Sequence, residues 1–399
     1  MKTLKDLEEN IYKCSKCGLC QKVCPIYKAT GNECTLSRGK FTLLNGVIKK
    51  HIKMNKDVMK YVDLCLNCNA CKNFCPSNID AREIFTSIKA EKENSKRNFF
   101  SSHFLLKIGL NFAAIAFWLY RLLKINKIVN KIANLLIKNG KIGRFLLIID
   151  TLSGPNIKRK KQGTETAKAT VVYFPGCVNK YINTGENNAV LNILEKLNYK
   201  VITPNFECCG MSYYSKGQIH EFTNLVNKNL ELLPERFDFF VTDCASCDFT
   251  LSKYEEFADK KYLEKAKLIR NKAVSFVELL AKQDNVIKNS TPINVTFHKP
   301  CHFDGDVKQI LSKIENINYV EMKDYDTCCG AAGSFMIKYP QISKDISIEK
   351  AQNIVSTNAD IVLTSCPSCV VGLKRGLVNI GDTKTKVMNI SEFVGSLIQ

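Results

Sequence analysis

The second half of the chain contains the same arrangement of cysteines twice. Each arrangement has one isolated cysteine, then a vicinal pair followed by glycine, then a C-x2-C pair. The first copy consists of Cys177, Cys208, Cys209, Cys244 and Cys247, and the second of Cys301, Cys328, Cys329, Cys366 and Cys369. Equivalent cysteines are separated by 124, 120 and 122 residues, so residues 170–283 and 284–399 are predicted to be two copies of one domain.

Short β-branched segments alternate with longer amphipathic segments in each copy. In the first, VVYF, KVIT and FFVTDC are predicted strands, and NNAVLNILEKLN and EFTNLVNKNLELL are predicted helices. In the second, NVTF, YVEM and DIVLTS alternate with VKQILSKIENI and ISIEKAQNIV in the same way. This alternation predicts a parallel α/β sheet. Because ligands bind beyond the carboxyl ends of strands in such sheets, we expect the five cysteines of each copy to meet at one edge.

The two vicinal pairs lie in FECCGMSY (206–213) and DTCCGAAGSF (326–335). Neighbouring side chains on a strand point to opposite faces, so two adjacent cysteines directed at one target need a turn. The glycine that follows each pair supplies backbone conformations that other residues avoid. A disulfide within a vicinal pair would be strained, so the pairs are not expected to form disulfides, and their spacing alone indicates a metal or redox site.

Two further cysteine runs, CSKCGLCQKVCP (14–25) and CLNCNACKNFCP (65–76), lie near the start of the chain. Both have the spacing C-x2-C-x2-C-x3-C-P of bacterial ferredoxins with two [4Fe–4S] clusters, in which the fourth cysteine of each run ligates the other cluster. The predicted ligands are Cys14, Cys17, Cys20 and Cys75 for one cluster, and Cys65, Cys68, Cys71 and Cys24 for the second. The alternative is zinc bound by four cysteines, which normally shows two separated C-x2-C pairs.

The stretch between these runs, FTLLNGVIKKHIKMNKDVMKYV, favours helix, so residues 1–93 are predicted to be a helical dicluster ferredoxin domain. Cys34 fits neither run and is interpreted as a structural or surface thiol. The start, MKTLKDLEENIYKC, has no apolar segment typical of a secretory signal. We therefore expect a cytoplasmic protein in which the 19 cysteines bind metal or act in redox chemistry instead of forming disulfides.

The net charge of +20 is concentrated between the cysteine-rich regions. Residues 94–149 contain ten Lys or Arg and no Asp or Glu. Residues 94–152 are predicted to be a basic amphipathic helical segment, followed by a linker over 153–169. The most apolar part, Ile108–Tyr120, is shorter than the roughly 20 residues of a spanning helix. The segment either binds a membrane surface or packs against the ferredoxin domain or a partner subunit. Nucleic acid is not an expected partner, because no recognised binding fold accompanies the charge.

The duplicated C…CCG…C-x2-C pattern, preceded by the two ferredoxin runs, resembles the CCG-domain (cysteine-rich domain) iron–sulfur proteins. These include the glycolate oxidase iron–sulfur subunit, the lactate-utilisation iron–sulfur protein, the C-type subunit of anaerobic glycerol-3-phosphate dehydrogenase and the D-type subunit of heterodisulfide reductase. The segments YKATGNECTLSRGKFTLL, HKPCH (298–302) and CCGAAGSFMIKYPQIS (328–343) also resemble this family. The resemblance covers nearly the whole chain. It implies an α+β protein, in which the amphipathic segment joins a helical ferredoxin domain to two duplicated α/β CCG domains with parallel sheets.

The resemblance also implies clusters in the CCG domains. In heterodisulfide reductases each complete five-cysteine copy implies a non-cubane [4Fe–4S] cluster, so one or two such clusters are expected in addition to the two cubanes. Many glycolate-type relatives have lost cysteines from one copy, whereas this sequence keeps all ten. The alternative is that one copy binds a lesser cluster or none.

Two histidines, His298 and His302, flank Cys301. They are candidate catalytic proton donors or hydrogen-bond donors to cluster sulfur. Histidines satisfied by backbone groups in a turn are an equally good interpretation. Lys299 would favour an anionic thiolate or substrate.

The sequence contains no G-x-G-x-x-G after a strand and no P-loop, so no flavin or NAD is expected on this chain. The leading hypothesis is an electron-transfer subunit whose flavoprotein partner oxidises a 2-hydroxy acid such as glycolate or lactate, or glycerol 3-phosphate. Electrons would pass toward quinone or another acceptor, with the complex peripheral on the cytoplasmic membrane face or held by a membrane anchor subunit. The alternatives are the catalytic subunit of a disulfide reductase that uses a non-cubane cluster, and a redox sensor or scaffold without turnover.

Overall fold

The computed structural model describes residues 2–94, 167–283 and 287–398. It contains a helical N-terminal domain and two α/β domains, each with a parallel four-stranded sheet. The predicted α+β architecture and the predicted duplication are therefore confirmed. The predicted basic segment from residue 95 onward, and the linker up to residue 166, lie outside the described residues. Within the described ranges, no helix combines the length and the apolar character needed to cross a membrane.

Short helices form the N-terminal domain. They are α1 (Glu8–Tyr12), α2 (Leu19–Val23), α3 (Pro25–Thr30), α4 (Ser37–Ile48), α5 (Lys56–Asp63), α6 (Ala70–Asn73) and α7 (Ala81–Asn94), with a 3-10 turn at Glu33–Thr35. The helical stretch predicted between the cysteine runs is divided into α4 and α5. The chain leaves the helix after α4, where Lys50 has a positive φ, and Asn55 then caps α5 by accepting the backbone N–H of Val58 at 3.0 Å. Leu7, Leu44 and Phe85 are fully buried in the core of this domain.

The first α/β domain has the sheet order β2-β1-β3-β4, with all strands parallel. Its elements are β1 (Ala169–Tyr173), α8 (Gly176–Tyr181), α9 (Thr184–Lys196), β2 (Tyr199–Ile202), α10 (Met211–Tyr214), α11 (Ile219–Glu231), β3 (Phe239–Thr242), α12 (Ala245–Ser252), α13 (Tyr254–Phe257), α14 (Leu263–Lys272), β4 (Ala273–Ser275) and α15 (Phe276–Ala281), with a 3-10 turn at Lys260–Tyr262.

The second α/β domain repeats this topology in the order β6-β5-β7-β8. Its elements are β5 (Ile293–Phe297), α16 (Lys308–Leu311), β6 (Ile317–Tyr319), α17 (Phe335–Lys338), α18 (Pro340–Val355), β7 (Ile361–Thr364), α19 (Pro367–Asn379), β8 (Lys386–Asn389) and α20 (Ile390–Leu397). The register is repeated as well, since Val172 pairs with Phe240 in the first sheet and Thr296 pairs with Val362 in the second.

The structure differs from the predicted elements in the strands at the sheet edges and in the segment before β6. Each sheet has a fourth strand, β4 or β8, that the β-branched pattern did not predict because these strands have only three or four residues and run directly into helices. In the second domain the predicted helix VKQILSKIENI is helical only over α16 (Lys308–Leu311). The strand β6 begins at Ile317, before the predicted strand YVEM. α16 ends at Leu311, and Asn316, which has a φ of +54°, lies in the turn directly before β6.

A buried polar network joins the two α/β domains. The Glu186 carboxyl, on α9, accepts hydrogen bonds from the side-chain amides of Asn179 and Asn183, each at 3.3 Å, and from that of Asn389 at the start of α20. α20 also packs against α9, and the buried apolar residues of both domains form one continuous core. The two repeats therefore pack as one unit.

We expect Glu186 to make stability depend on pH. Burial raises the pKa of Glu186 well above its ordinary value, with the carboxyl of Asp243 as the next cause. In the unfolded chain this proton leaves near pH ~4.3, so the stability contributed by the protonated carboxyl is present below that pH and is lost as pH rises through the folded pKa. Glu186→Gln cannot ionise and should reduce the fall in melting temperature between pH 5 and pH 8. Anaerobic thermal unfolding followed by circular dichroism measures this, with exposed Glu231→Gln as the control. An equal fall in variant and unsubstituted protein would contradict it.

The N-terminal domain packs closely against the first α/β domain at Gly217. This glycine has a φ of +77°, and a Cβ atom there would lie 2.3 Å from the backbone nitrogen of Ala90. Beside it, the side-chain nitrogens of Lys89 and Asn67 both donate to the backbone oxygen of Ser215 at 3.3 Å. The close approach of the two backbones requires a residue without a side chain.

Gly217→Ala should therefore destabilise the protein by more than the strain of a positive φ alone would cause. Gly31 is a matched control, because its φ is +63° and no atom lies within 4 Å of a Cβ placed there. We expect about 1–2 kcal/mol of destabilisation from Gly31→Ala, and a further 1–3 kcal/mol or so from the clash in Gly217→Ala. Denaturant unfolding under anaerobic conditions measures both. Equal losses of stability in the two variants would show that the domain junction accommodates the added methyl group at no further cost.

Candidate iron–sulfur centres

Both α/β domains bring their five cysteines to the carboxyl edge of the sheet, where the sequence pattern predicts them. The isolated cysteine follows β1 or β5, the vicinal pair follows β2 or β6, and the C-x2-C pair follows β3 or β7. Cys244 and Cys366 occupy the N-cap positions of α12 and α19, so the second cysteine of each C-x2-C pair lies in the first turn of a helix. All 19 cysteines of the chain lie in described residues and are free thiols.

The first CCG set is a compact group of thiols. The sulfurs of Cys177 and Cys208 are 3.7 Å apart, and Cys247 contacts both Cys209 and Cys244. Contact with Cys208, together with burial, raises the pKa of Cys177 well above its ordinary value. Contact with neighbouring thiols and burial do the same for Cys247.

The second CCG set is equally crowded. Cys328 contacts Cys301 and Cys329, and these contacts raise its thiol pKa well above the ordinary value. Contacts from Cys328 and Cys369 lower the pKa of Cys329 well below its ordinary value. A ring nitrogen of the fully buried His298 and the sulfurs of Cys329 and Cys369 all lie within 4.8 Å of one another.

Crowded thiols of this kind fit an iron–sulfur cluster. Thiolates this close would repel each other in a buried site unless a metal centre supplied positive charge. In each set, contact with a neighbouring thiol and burial raise the pKa of one cysteine, Cys177 or Cys328, well above its ordinary value, so these sulfurs lie close enough to share one bound centre. The residues that would hold the clusters are the five cysteines of each set.

The glycine after each vicinal pair is required by backbone conformation and by space. Gly210 has a φ of +93° and Gly330 a φ of +79°. A Cβ atom would lie 2.5 Å from the ring of Phe222 at the first position, and 3.0 Å from the backbone oxygen of Ser343 at the second. The turn that directs both sulfurs inward therefore depends on glycine in each domain.

Gly330→Ala should weaken iron binding at the second CCG set, because the added methyl group strains the turn and presses on Ser343. Gly381→Ala is a matched control, with a φ of +80° and no atom within 4 Å of the added carbon. We expect Gly330→Ala to lose up to about four irons per chain relative to the control. Iron and protein quantified after anaerobic purification test this. Equal iron content in the two variants would show that the turn tolerates a side chain.

The N-terminal cysteines form two further sets. Cys14, Cys17, Cys20 and Cys75 line one pocket, which Cys71 also borders. Cys24 lies near Cys65, and Cys71 lies near both. Burial raises the pKa of Cys71 to about 12, although the Ser37 hydroxyl donates a hydrogen bond to its sulfur at 3.1 Å. This geometry supports the exchange of the fourth cysteines between runs, which stays a prediction. Cys34 lies in the 3-10 turn and does not line this pocket.

The cysteine sets follow one another through the molecule. Cys24 and Cys68 share an apolar cluster with Cys301 and Cys328. Burial raises the pKa of the Cys68 thiol well above its ordinary value, and the nearby Cys301 is the next cause. The second CCG set in turn meets the first, because Cys366 contacts Cys244. A backbone hydrogen bond from Ala245 to Ser365, at 3.0 Å, fixes that contact.

His302 lies where all three domains meet. Its Nε2 is 3.2 Å from the backbone oxygen of Asn67, and its Nδ1 is 3.4 Å from the hydroxyl of Ser246. Because a carbonyl only accepts, Nε2 donates and Nδ1 accepts the Ser246 hydroxyl. The ring stacks on Phe249 at 4.7 Å, and the Arg82 guanidinium lies 3.9 Å from the centre of that phenyl ring. Burial, followed by the charge of Arg82, lowers the pKa of His302 to about 4, so the ring is neutral at pH 7.

The sequence did not identify two serine contacts. Ser37 donates to Cys71, and the Ser246 hydroxyl lies 3.5 Å from the sulfur of Cys366. Ser246 lies in the first domain and contacts a cysteine of the second, so neither copy of the repeat contains this information by itself. Nothing in the spacing around Ser37 marks it as a neighbour of the second run.

Comparison with known proteins agrees with this geometry. A family model described as "Cysteine-rich domain" matches residues 171–252 and 295–374, and one described as "4Fe-4S dicluster domain" matches residues 10–79. The chain is 24% identical to the probable glycolate oxidase iron–sulfur subunit of Bacillus subtilis, over 97% of this chain and 94% of that protein. It is 27% identical to the D-type subunit of the dihydromethanophenazine:CoB–CoM heterodisulfide reductase of Methanosarcina mazei, over 96% of this chain and 92% of that protein.

Two other matches are partial or structural. The B-type subunit of the fumarate reductase (CoM/CoB) of Methanothermobacter marburgensis is 32% identical over 56% of this chain and 45% of that protein. The crystal structure of a hypothetical protein from Helicobacter pylori has a TM-score of 0.53 with 10% identity, and the match covers 99% of this chain and 76% of that one. The latter likeness concerns the fold alone.

The fold and the sites together define an iron–sulfur protein with a dicluster domain and a duplicated cysteine-rich domain. The chain has the duplicated cysteine-rich domain and the dicluster domain found by these comparisons and is similar throughout to iron–sulfur subunits that are named glycolate oxidase or heterodisulfide reductase, and it binds [4Fe–4S] clusters.

Proposed function

We propose that the chain is the electron-transfer subunit of a multi-subunit dehydrogenase. A separate flavoprotein would oxidise a 2-hydroxy acid such as glycolate or lactate, or glycerol 3-phosphate. Electrons would then pass along this chain toward quinone or another acceptor. The relatives named as glycolate oxidase iron–sulfur subunits, from Bacillus subtilis and Escherichia coli, support this choice of substrate class.

The observation that carries the proposal is the unbroken series of four cysteine sets. The set of Cys14 is followed by the set of Cys65, then by the second CCG set, and then by the first. Bound clusters would supply one-electron oxidation and reduction at each position. Cys17 is exposed, whereas Cys244 and Cys247 at the other end of the series are buried. The exposed end is thus the one suited to exchange electrons with a partner protein.

Four occupied sets would hold two cubane and two non-cubane [4Fe–4S] clusters. The cubanes would be ligated as the two runs predict, and each non-cubane cluster by one complete CCG set. The complex would be cytoplasmic, with the basic segment of residues 104–150 docking it at the membrane face or against a membrane anchor subunit.

A second candidate function is the reductive cleavage of a substrate disulfide. That reaction consumes two electrons and two protons and yields two thiols. The contact between Cys244 and Cys366 favours it, because it brings two complete CCG sets side by side. Two adjacent one-electron sites suit a two-electron reduction. His298 and His302 remain the candidate proton donors, and the neutral ring of His302 would have to take up a proton in each cycle.

One anaerobic purification distinguishes these functions. We expect about 16 irons per chain and the co-purification of a flavoprotein. Electron paramagnetic resonance (EPR) during dithionite reduction should show cubane and additional signals. Addition of the CoB–CoM heterodisulfide, or of cystine, should then produce no new paramagnetic species.

Two other outcomes would contradict this proposal. A paramagnetic species induced by either disulfide, in a preparation that contains no flavoprotein, would favour the disulfide reductase over the electron-transfer subunit. About eight irons per chain and cubane signals alone would contradict clusters in both CCG domains.

A further inference from the structure

The repeat places different side chains at one equivalent buried position. Phe174 directly follows β1, and His298 directly follows β5. The backbone N–H of Phe174 donates to Val241 at 2.8 Å, and that of His298 donates to Leu363 at 2.9 Å. Both side chains are completely buried. The two backbones therefore correspond in their hydrogen bonding, and only the side chain differs.

In the first domain this position is part of an aromatic cluster. The ring of Phe174 lies 5.1 Å from that of Phe206 and 6.2 Å from that of Phe240. An apolar ring needs no polar partner, so the first cysteine set receives no hydrogen bond from this direction.

In the second domain the same position directs an imidazole at the cysteines. A ring nitrogen of His298 lies within 4.8 Å of the sulfurs of Cys329 and Cys369. Apart from these cysteines, no residue in the described ranges hydrogen-bonds to Nδ1 or Nε2 of His298. A buried polar group without a partner is costly, and a neutral imidazole always carries one N–H. Sulfur of the second set is the acceptor within reach.

We propose that His298 donates an N–H hydrogen bond to a sulfur of the cluster held by the second CCG set and thereby makes that cluster easier to reduce than its counterpart in the first domain. Hydrogen bonds to cluster sulfur stabilise the additional negative charge of the reduced form. The five cysteines already provide more ligands than a four-iron cluster needs, so His298 is a positioning and tuning residue, not an iron ligand. This inference rests on the proposed occupancy of the second CCG set.

The test uses the full-length protein purified anaerobically. Cys328→Ser identifies the EPR signal of the second set as the one that it removes. In His298→Phe, which copies the first domain, we expect full iron content and a shift of that signal's midpoint potential to a more negative value. His298→Gln keeps an N–H donor and should shift it less. Substitution of the exposed His220 by Phe is the control and should leave the potential unchanged.

Hyperfine spectroscopy gives a second measurement that needs no stable variant. In the unsubstituted protein we expect a weak nitrogen coupling on the second-set signal, which is absent in His298→Phe. An unchanged potential and unchanged coupling in fully loaded His298→Phe would overturn the proposal, and so would a strong coupling typical of a nitrogen bonded to iron. If His298→Phe loses iron, the nitrogen coupling in the unsubstituted protein tests the proposal by itself. A weak coupling supports it, and an absent or strong coupling overturns it. An unsubstituted protein without iron at the second set would instead contradict the cluster assignment on which the inference rests.

Discussion

The crowding of cysteine sulfurs at two sheet edges is the constraint on which the rest of this structure depends. The carboxyl edge of each sheet gathers five cysteines from three different strand ends. Their sulfurs come close enough to change each other's proton affinity in both directions, as Cys328 and Cys329 show. In the thiolate form that binds iron, sulfurs this close require a positive centre among them and a rigid frame around them. Glycine after each vicinal pair, and the shared core beneath the two sheets, supply that frame.

The junctions between domains extend this rigidity to the whole series of sites. Gly217 allows the backbone of the ferredoxin domain to approach that of the first CCG domain, and His302 ties Asn67 to Ser246 across three domains. His302 immediately follows Cys301, and Asn67 immediately precedes Cys68. This hydrogen bond therefore ties the backbone next to Cys68 to the residue next to Cys301, between two cysteine sets. A relay needs fixed separations, whereas a scaffold or a sensor without turnover does not.

Spacing along the chain predicted what depends on local geometry. The two C-x2-C-x2-C-x3-C-P runs, the strands before Cys177 and Cys301, and the glycine turns at Gly210 and Gly330 all follow from short sequence patterns. The short strands β4 and β8 were missed because three or four residues carry no clear period. The contacts between Cys244 and Cys366, and between Ser246 and Cys366, depend on how the two copies pack on each other. No pattern within a single copy contains that information.

Duplication supplied two similar sites, and substitutions behind the cysteines made them chemically different. In the first domain Tyr173 and Asn179 hold the buried carboxyl of Asp243, which precedes Cys244, through hydrogen bonds of 3.0–3.1 Å. The equivalent residues of the second domain are Phe297, Phe303 and Ser365, which have no acidic group. The second domain instead has His298 where the first has Phe174. An acidic group behind one set disfavours an added electron there, and a hydrogen-bond donor beside the other favours it. Both differences point the same way, so an electron that arrives from the ferredoxin domain meets the more easily reduced CCG site first.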